Sequence, residues 1–368
     1  MNIIEEILRL PDMTGVIKAR KRPVLLYGMG NGAELTDAYL RSRGIIPDGV
    51  FASDGFVRGQ SFMGKRVLSV AEAEHLYGDF TAVLSFALEG EKRSAAYDFA
   101  ENHFLVCPSL CPFGGAYDAD FVKKNASALA GLHDRLADDT SKNALGQLLR
   151  FAVTGDPKYT AALPFSAPQG YISHSVTHID IGAYDGTTAL EYLQMNKSCR
   201  EVVAFEPDPA AFARLMHNTS GSPVRCVNAA VTDRSGTAGF SAKGSRASSL
   251  GGGTDVKTVS LDGFFGCKSL ASPHEEIGSI RIDGEGSENA IFRGAANLIY
   301  TSRPSVCTAV YHRADDILAL PRHLEYQLGS CDFFLEVKPY IPAFDVFLYA
   351  IPKNPSFHSK LQYQIGHF

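Results

Sequence analysis

Four acidic side chains and one histidine carry the chemistry this sequence can offer, and each stands at or near the end of a short apolar run. Asp180 lies in Val176-Thr-His-Ile-Asp-Ile181, which reads as a buried parallel strand. A turn bracketed by Gly182 and Gly186 follows, then a helix that Thr187 or Thr188 can cap. Amides at such a helix start point at whatever ligand sits there and favour negative charge. The spacing Asp-x-Gly-x-x-x-Gly is not the Gly-x-Gly-x-x-Gly of a pyrophosphate cradle. Glu206 closes the next apolar run, 26 residues after Asp180 and just before Pro207. A carboxylate ending the second strand of a doubly wound sheet is placed to accept both hydroxyls of a ribose. Asp180 puts negative charge where an amino-acid ammonium can sit. A ribose and an amino acid without a pyrophosphate cradle fit S-adenosyl-L-methionine better than a dinucleotide.

Five segments in one order then resemble a known family. They are Asp180-Ile-Gly-Ala-Tyr-Asp-Gly186, Ala204-Phe-Glu-Pro-Asp208, Asn228-Ala-Ala-Val-Thr-Asp233, Ile280-Arg-Ile-Asp-Gly-Glu-Gly-Ser-Glu288 and Tyr311-His312. Together they are similar to the FkbM family of S-adenosylmethionine-dependent methyltransferases, over roughly residues 166–352. One departure is Gly284, where a β-branched residue is expected between the two acids. The resemblance implies an α/β fold of the class I methyltransferase type, a doubly wound and mostly parallel sheet finished by an antiparallel hairpin. It implies cofactor contacts at Asp180, Gly182, Tyr184, Gly186, Glu206, Pro207, Asn228 and Ala229, the last two bordering the adenine. It also puts Asp283, Glu285 and His312 on the rim that faces the methyl group and its acceptor.

Methyl transfer from a sulfonium is an in-line displacement, so positioning supplies most of the acceleration, while an alcohol acceptor must also lose its proton. His312 is the first choice as base, because an unperturbed imidazole titrates near operating pH. Asp283 and Glu285 can orient acceptor hydroxyls. They could hold a divalent cation only with a third oxygen ligand, which the sequence does not name, so no metal site is expected. The bland alternatives are a packing or capping histidine at His312 and acids that satisfy the start of a helix at Glu285 and Glu288. Asn228 can equally serve a structural turn. His174 and His178 flank the first strand, His178 as a packing or capping residue. The Gly/Ser-rich stretch Ser245 to Gly253 could close over substrate, and Lys338 and Tyr340 could reach it.

These residues need a sheet to position them. Strands are expected at Val176–Ile181, Val202–Phe205, Val224–Asn228, Ser279–Ile282 and Ser305–Val310, with Val256–Leu261 as a flap or edge piece. Phe333–Lys338 and Asp345–Ala350 read as the antiparallel pair. Upstream, Val24-Leu-Leu-Tyr27 leads into Gly28-Met-Gly-Asn-Gly-Ala33, a Gly-x-Gly-x-x-Ala match, with Asp54 beyond a second strand. The chain is therefore divided into a small Rossmann-like domain at 1–113, a helical linker at 114–165 and the methyltransferase domain at 166–368. The rival readings are an NAD-dependent oxidoreductase centred on Gly28, Gly30, Ala33 and Asp54, and a non-catalytic nucleotide-sugar binding protein. The first domain and linker would hold substrate or form a homodimer contact.

Composition bounds the rest. A net charge of −5 argues against a nucleic-acid footprint, and no apolar run approaches the roughly 18 residues of a membrane span. The acidic start Met1-Asn-Ile-Ile-Glu-Glu is not a signal peptide. Seven scattered cysteines suit reduced thiols and a cytoplasmic location. The expected substrate is a small molecule or glycan.

Overall fold

The computed structural model describes residues 2–88, 90, 92–160, 167–172, 176–241, 249–267, 277–338 and 345–353. His174, Tyr340 and the part of the Gly/Ser-rich stretch before Ser249 lie outside them. The chain forms two compact units, one of residues 1–134, 138–164 and 337–346, the other of 135–137, 165–336 and 347–368. Among the described residues no helix is long and apolar enough to cross a membrane.

The first unit is built on a six-stranded sheet. Its order is Ser61–Phe62, Lys65–Leu68, Gly49–Phe51, Val24–Tyr27, Thr81–Leu84 and Phe104–Val106, parallel except for the edge pair 61–62 and 65–68. Val24–Tyr27 and Thr81–Leu84 are buried at every position, as continuous apolar runs in a sheet covered on both faces must be. At the glycine turn after Tyr27, a Cβ on Gly28 would stand 2.3 Å from Phe86 Cδ1, and one on Gly32 2.3 Å from the Ser85 carbonyl oxygen. Packing alone thus demands glycine at both positions. Asp54 opens an exposed 3-10 turn, Asp54–Phe56.

The stretch expected as a helical linker folds as helices Ala119–Lys124, Ala126–Arg135 and Asp139–Thr154. Asp138 caps the long helix by accepting the Ser141 amide at 2.7 Å, and Gly155 ends it in the left-handed conformation. Its stripe of Leu145, Leu148, Leu149 and Ala152 is buried. The same helix packs on Ile3–Ile7, with Arg150 and Glu6 paired at 3.0 Å. Apart from 135–137, these helices belong to the first unit's core.

The second unit holds a seven-stranded sheet: β1 (Thr177–Ile181), β2 (Glu201–Phe205), β3 (Val224–Val227), β4 (Ile277–Ile282), β5 (Ser305–Ala309), β6 (Cys331–Val337) and β7 (Val346–Pro352). The spatial order is β3-β2-β1-β4-β5-β7-β6. β1 to β5 pair in parallel, and β7 runs antiparallel to β5. This is the class I methyltransferase-type doubly wound sheet. The strand order reverses between β1 and β4, and ligands in such sheets bind outside the carboxyl ends at that crevice. Helices α1 (Thr187–Met195), α2 (Pro209–Asn218), α3 (Glu288–Gly294), α4 (Ala296–Ser302) and α5 (Asp316–Leu328) complete the unit. Residues 256–259 lie in a separate four-stranded sheet with Ala230–Val231, Gly236–Ser241 and Ser249–Leu250. Leu261 is not strand: Ser260 caps a short helix, Leu261–Phe264, and ends the extended run.

β1 is buried at all five positions, which makes its polar residues informative. The ring of His178 stacks on Tyr192 at a centroid distance of 3.7 Å. His178 Nδ1 and the Tyr192 hydroxyl each lie within 2.8 Å of the Ser279 hydroxyl. Burial, with the Arg281 charge adding to it, pushes the imidazole down to about 3. His178 is therefore a neutral packing residue.

Candidate functional site

The turn after β1 and the end of β2 are held together by backbone. The amides of Gly182 and Ala183 both donate to the Phe205 carbonyl, at 3.0 and 3.1 Å. Gly182 has φ 76°, and a Cβ there would stand 2.0 Å from the Asp283 carbonyl oxygen, so only glycine fits against β4's end. Tyr184 also takes a left-handed conformation, and the Arg214 guanidinium lies 5.0 Å over its ring. Gly186 is the N-cap of α1 and makes no side-chain cap. Neither threonine caps the helix. Asp185 accepts the Thr187 amide and hydroxyl, and the Thr188 hydroxyl is spent on Asp180.

Glu206 is buried at the carboxyl end of β2. Its Oε2 accepts the Tyr184 amide at 2.9 Å and its Oε1 the Asp208 amide at 2.8 Å. Each carboxylate oxygen keeps a second lone pair. Burial raises this carboxyl to about 7, against the two amide bonds that favour its ionised form. The side-chain amide of Asn228 donates to the carbonyls of Glu206 and Pro207 at 2.8 and 3.3 Å. Its NH2 group thus braces the β2 loop.

Asp180 is fully buried and serves a different neighbour from the one expected. It accepts the Thr188 hydroxyl at 2.6 Å and Arg281 Nη1 at 3.3 Å, while Arg281 Nη2 donates to Asp283 at 2.9 Å. The guanidinium lies 5.1 Å from the Phe347 ring centroid. Burial raises the Asp180 carboxyl, and Arg281 opposes that rise. The cation beside Asp180 is therefore supplied by the chain itself, and the ammonium role read for it is corrected accordingly.

A narrow cleft of about 60 Å³ opens along these strand ends. Gly182, Glu206, Pro207, Ala229 and Glu285 line it, and Phe240 and Leu250 of the small sheet form an apolar wall. Asp180, Tyr184, Gly186 and Asn228 are not among its lining residues, but the Tyr184 amide and the Asn228 side chain hold Glu206 and Pro207, which are.

Beyond the cleft stands the acidic turn after β4. His312 is buried, and its Nε2 lies 3.6 Å from Asp283 Oδ1 and 3.5 Å from Glu285 Oε2. Its Nδ1 is 2.7 Å from Oε1 of Glu288, itself buried in α3. The same Glu288 oxygen accepts the amides of Gly284 at 2.9 Å and Gly286 at 3.4 Å. A side chain at Gly284 would meet Ile291 Cδ1 at 2.5 Å, so Ile291 fills the volume of the β-branched residue expected there. Burial lowers the His312 imidazole, but the Glu288 bond and the three carboxylates outweigh it and hold it at about 9.

Residues 180–335 match the family model described as the methyltransferase FkbM domain. The second unit carries an FkbM methyltransferase domain. No curated protein matches the chain. The crystal structure of methyltransferase FkbM from Methylobacillus flagellatus KT is similar over 95% of this chain and 97% of its own, at 19% identity and a TM-score of 0.66, and shares its fold. An O-methyltransferase from Bacillus cereus in complex with SAH matches at 15% identity over 64% of this chain and 89% of its own, with a TM-score of 0.31. A precorrin-6y C5,15-methyltransferase from Geobacter metallireducens GS-15 matches at 12% identity over 49% and 80%, with a TM-score of 0.28.

Three residues of the FkbM domain that shape this site were not singled out as site residues from sequence. Arg281 interrupts an otherwise uncharged strand, Ile-Gly-Ser-Ile-Arg-Ile, and a lone cation in such a run is the sign of a buried partner. Thr188 stands on the first turn of α1, eight residues past Asp180. Glu288 was read only as a helix-start acid, a role it does fill, but no spacing rule brings it to His312, 24 residues downstream.

Proposed function

We propose that this chain is an S-adenosyl-L-methionine-dependent methyltransferase that transfers the methyl group to an oxygen of a sugar, glycan or secondary-metabolite hydroxyl. The observation that carries the reading is Glu206, whose carboxylate faces the cleft with one lone pair per oxygen beyond its two amide bonds. The ribose hydroxyls would donate to it, the adenine would lie along Pro207 and Ala229, and the amino-acid end would run past the Gly182 turn. S-adenosyl-L-methionine supplies an electrophilic methyl on a sulfonium. This chain's residues then align the acceptor and receive its proton, in the region of Asp283, Glu285 and His312. The O–CH3 bond forms as the S–CH3 bond breaks, the pair from that bond staying on sulfur, and the acceptor proton passes to the acidic cluster. Glu285 is the member of that cluster that lines the cleft.

The rival nucleotide reading at Gly28 has less behind it, because the Phe86 ring fills the space beside Gly28, although the space beside Gly30 is open. Calorimetric titration of the full chain with S-adenosylhomocysteine and, separately, with NADH decides between them. Saturable binding of the thioether alone supports the methyltransferase reading, and binding of NADH alone overturns it.

A further inference from the structure

Asp283, Glu285 and His312 each offer one ligand atom, and these atoms all lie within 4.8 Å of one another. Two ligands held at ~2.1 Å from one cation in tetrahedral arrangement are about 3.4 Å apart. The two distances from His312 Nε2, 3.5 and 3.6 Å, meet that spacing without movement of the ring. From these positions we infer that the turn after β4 is a divalent cation site, with Asp283 Oδ1, Glu285 Oε2 and His312 Nε2 as its ligands.

Three further features point to the same occupant. Asp283 Oδ1 is buried and has no hydrogen-bond partner among the described residues, while its other oxygen is engaged by Arg281. The histidine is oriented as metal-binding histidines are, with the far nitrogen on a buried carboxylate, here Glu288 at 2.7 Å. Charge also favours a cation. Asp180, Asp283, Glu285 and Glu288 are four acids around one guanidinium, Arg281, and an imidazole. Arg313 adds a cation that donates to the Gly286 carbonyl at 3.4 Å, and Asp316 accepts the backbone amide of Arg313 at 2.9 Å. One imidazole with two carboxylates suits a first-row transition cation better than magnesium, which prefers an all-oxygen shell.

The remaining coordination positions would open on the side of Glu285, which lines the cleft. A cation there would bind the acceptor oxygen and make its proton easier to lose. That role rests on the methyltransferase reading, whereas cation binding itself does not.

The test is a titration of the full chain with MnCl2, followed by electron paramagnetic resonance. We expect one saturable Mn2+ per chain, with nitrogen modulation from an imidazole ligand. Asp283→Asn and Glu285→Gln should each weaken binding at least about tenfold, and His312→Gln should remove the nitrogen signal. Glu206→Ala should lose S-adenosylhomocysteine and keep Mn2+, so the cofactor reading and the cation site fail separately. Absence of saturable Mn2+ binding to the unsubstituted chain overturns the site whatever the variants do. So does unchanged affinity in the Asp283→Asn/Glu285→Gln double variant.

Discussion

Glu206 accepts the backbone amide of Tyr184 at 2.9 Å, tying the end of β2 to the turn that follows β1. The residue proposed to hold the ribose therefore also fixes the loop beside it. Glu206→Gln should keep one amide bond and most of the shape, yet lose the charge that strengthens hydrogen bonds to hydroxyl donors. A charge-assisted bond contributes about 1.5–3 kcal/mol, so the dissociation constant for S-adenosylhomocysteine should rise on the order of 10- to 100-fold. Calorimetry reads this directly, and an unchanged constant rejects the ribose assignment.

The same carboxyl predicts how binding depends on pH. Burial places it near 7, above the unfolded value of 4.5. Hydroxyl donors favour the ionised form, so affinity for S-adenosylhomocysteine should be full above pH 7 and fall as pH drops through it. Stability runs the other way for this group. Between pH 4.5 and 7 the folded state binds more protons than the unfolded one, so its contribution declines as pH rises. Titrations at pH 6, 7 and 8 check the first point, and Glu206→Gln should flatten the profile.

How much of this was legible beforehand differs between sheet and side chains. The parallel strands announce themselves because β2 carries the apolar run Val202–Phe205 and β1 ends in Ile181 before a glycine turn, and the Glu206–Pro207 boundary marks a strand end by residue type alone. The partners of Asp180 were not legible. Its charge reads as ligand-facing until β4 brings Arg281 beside it, a contact between residues 101 positions apart. Gly284 illustrates the same limit. Its missing side chain looks like a loss until the fold places Ile291 in that volume.

His312→Ala removes the ring from the acidic cluster, including its contact at 3.5 Å with Glu285 of the cleft, and leaves Glu206, Pro207 and Ala229 unsubstituted. Turnover on a hydroxyl acceptor should fall, on the order of 10²-fold or more if proton removal passes through this cluster. The dissociation constant for S-adenosylhomocysteine should stay within about twofold of that of the unsubstituted chain. Full turnover in the variant removes His312 from the reaction.

Arg281 compensates Asp180, which has no exposed side-chain surface. Arg281→Ala would leave that carboxylate buried beside no cation, a change that costs about 3–5 kcal/mol. Arg281→Met combined with Asp180→Asn removes both charges and keeps the volume, so it should recover most of the loss. Urea unfolding of the three proteins at pH 7.5 measures this. Equal destabilisation in the single and double variants would show that the guanidinium acts by packing on Phe347 alone.

His178 predicts an acid limb in the stability of this unit. Its folded value is about 3, whereas an unfolded histidine titrates near 6.5. Above pH 6.5 the ring is neutral in both states and stability from this source is complete. As pH falls below 6.5 the unfolded chain takes up a proton that the buried ring refuses, so stability is lost down to about pH 3. At pH 5 the loss from this residue alone is about 2 kcal/mol. His178→Gln can still meet the Ser279 hydroxyl but cannot titrate. The difference between its unfolding free energies at pH 7.5 and pH 5 should be smaller than that of the unsubstituted chain by about this amount. If the two differences are equal, His178 either titrates normally in the folded state or is reached by water, and the neutral stack on Tyr192 is wrong.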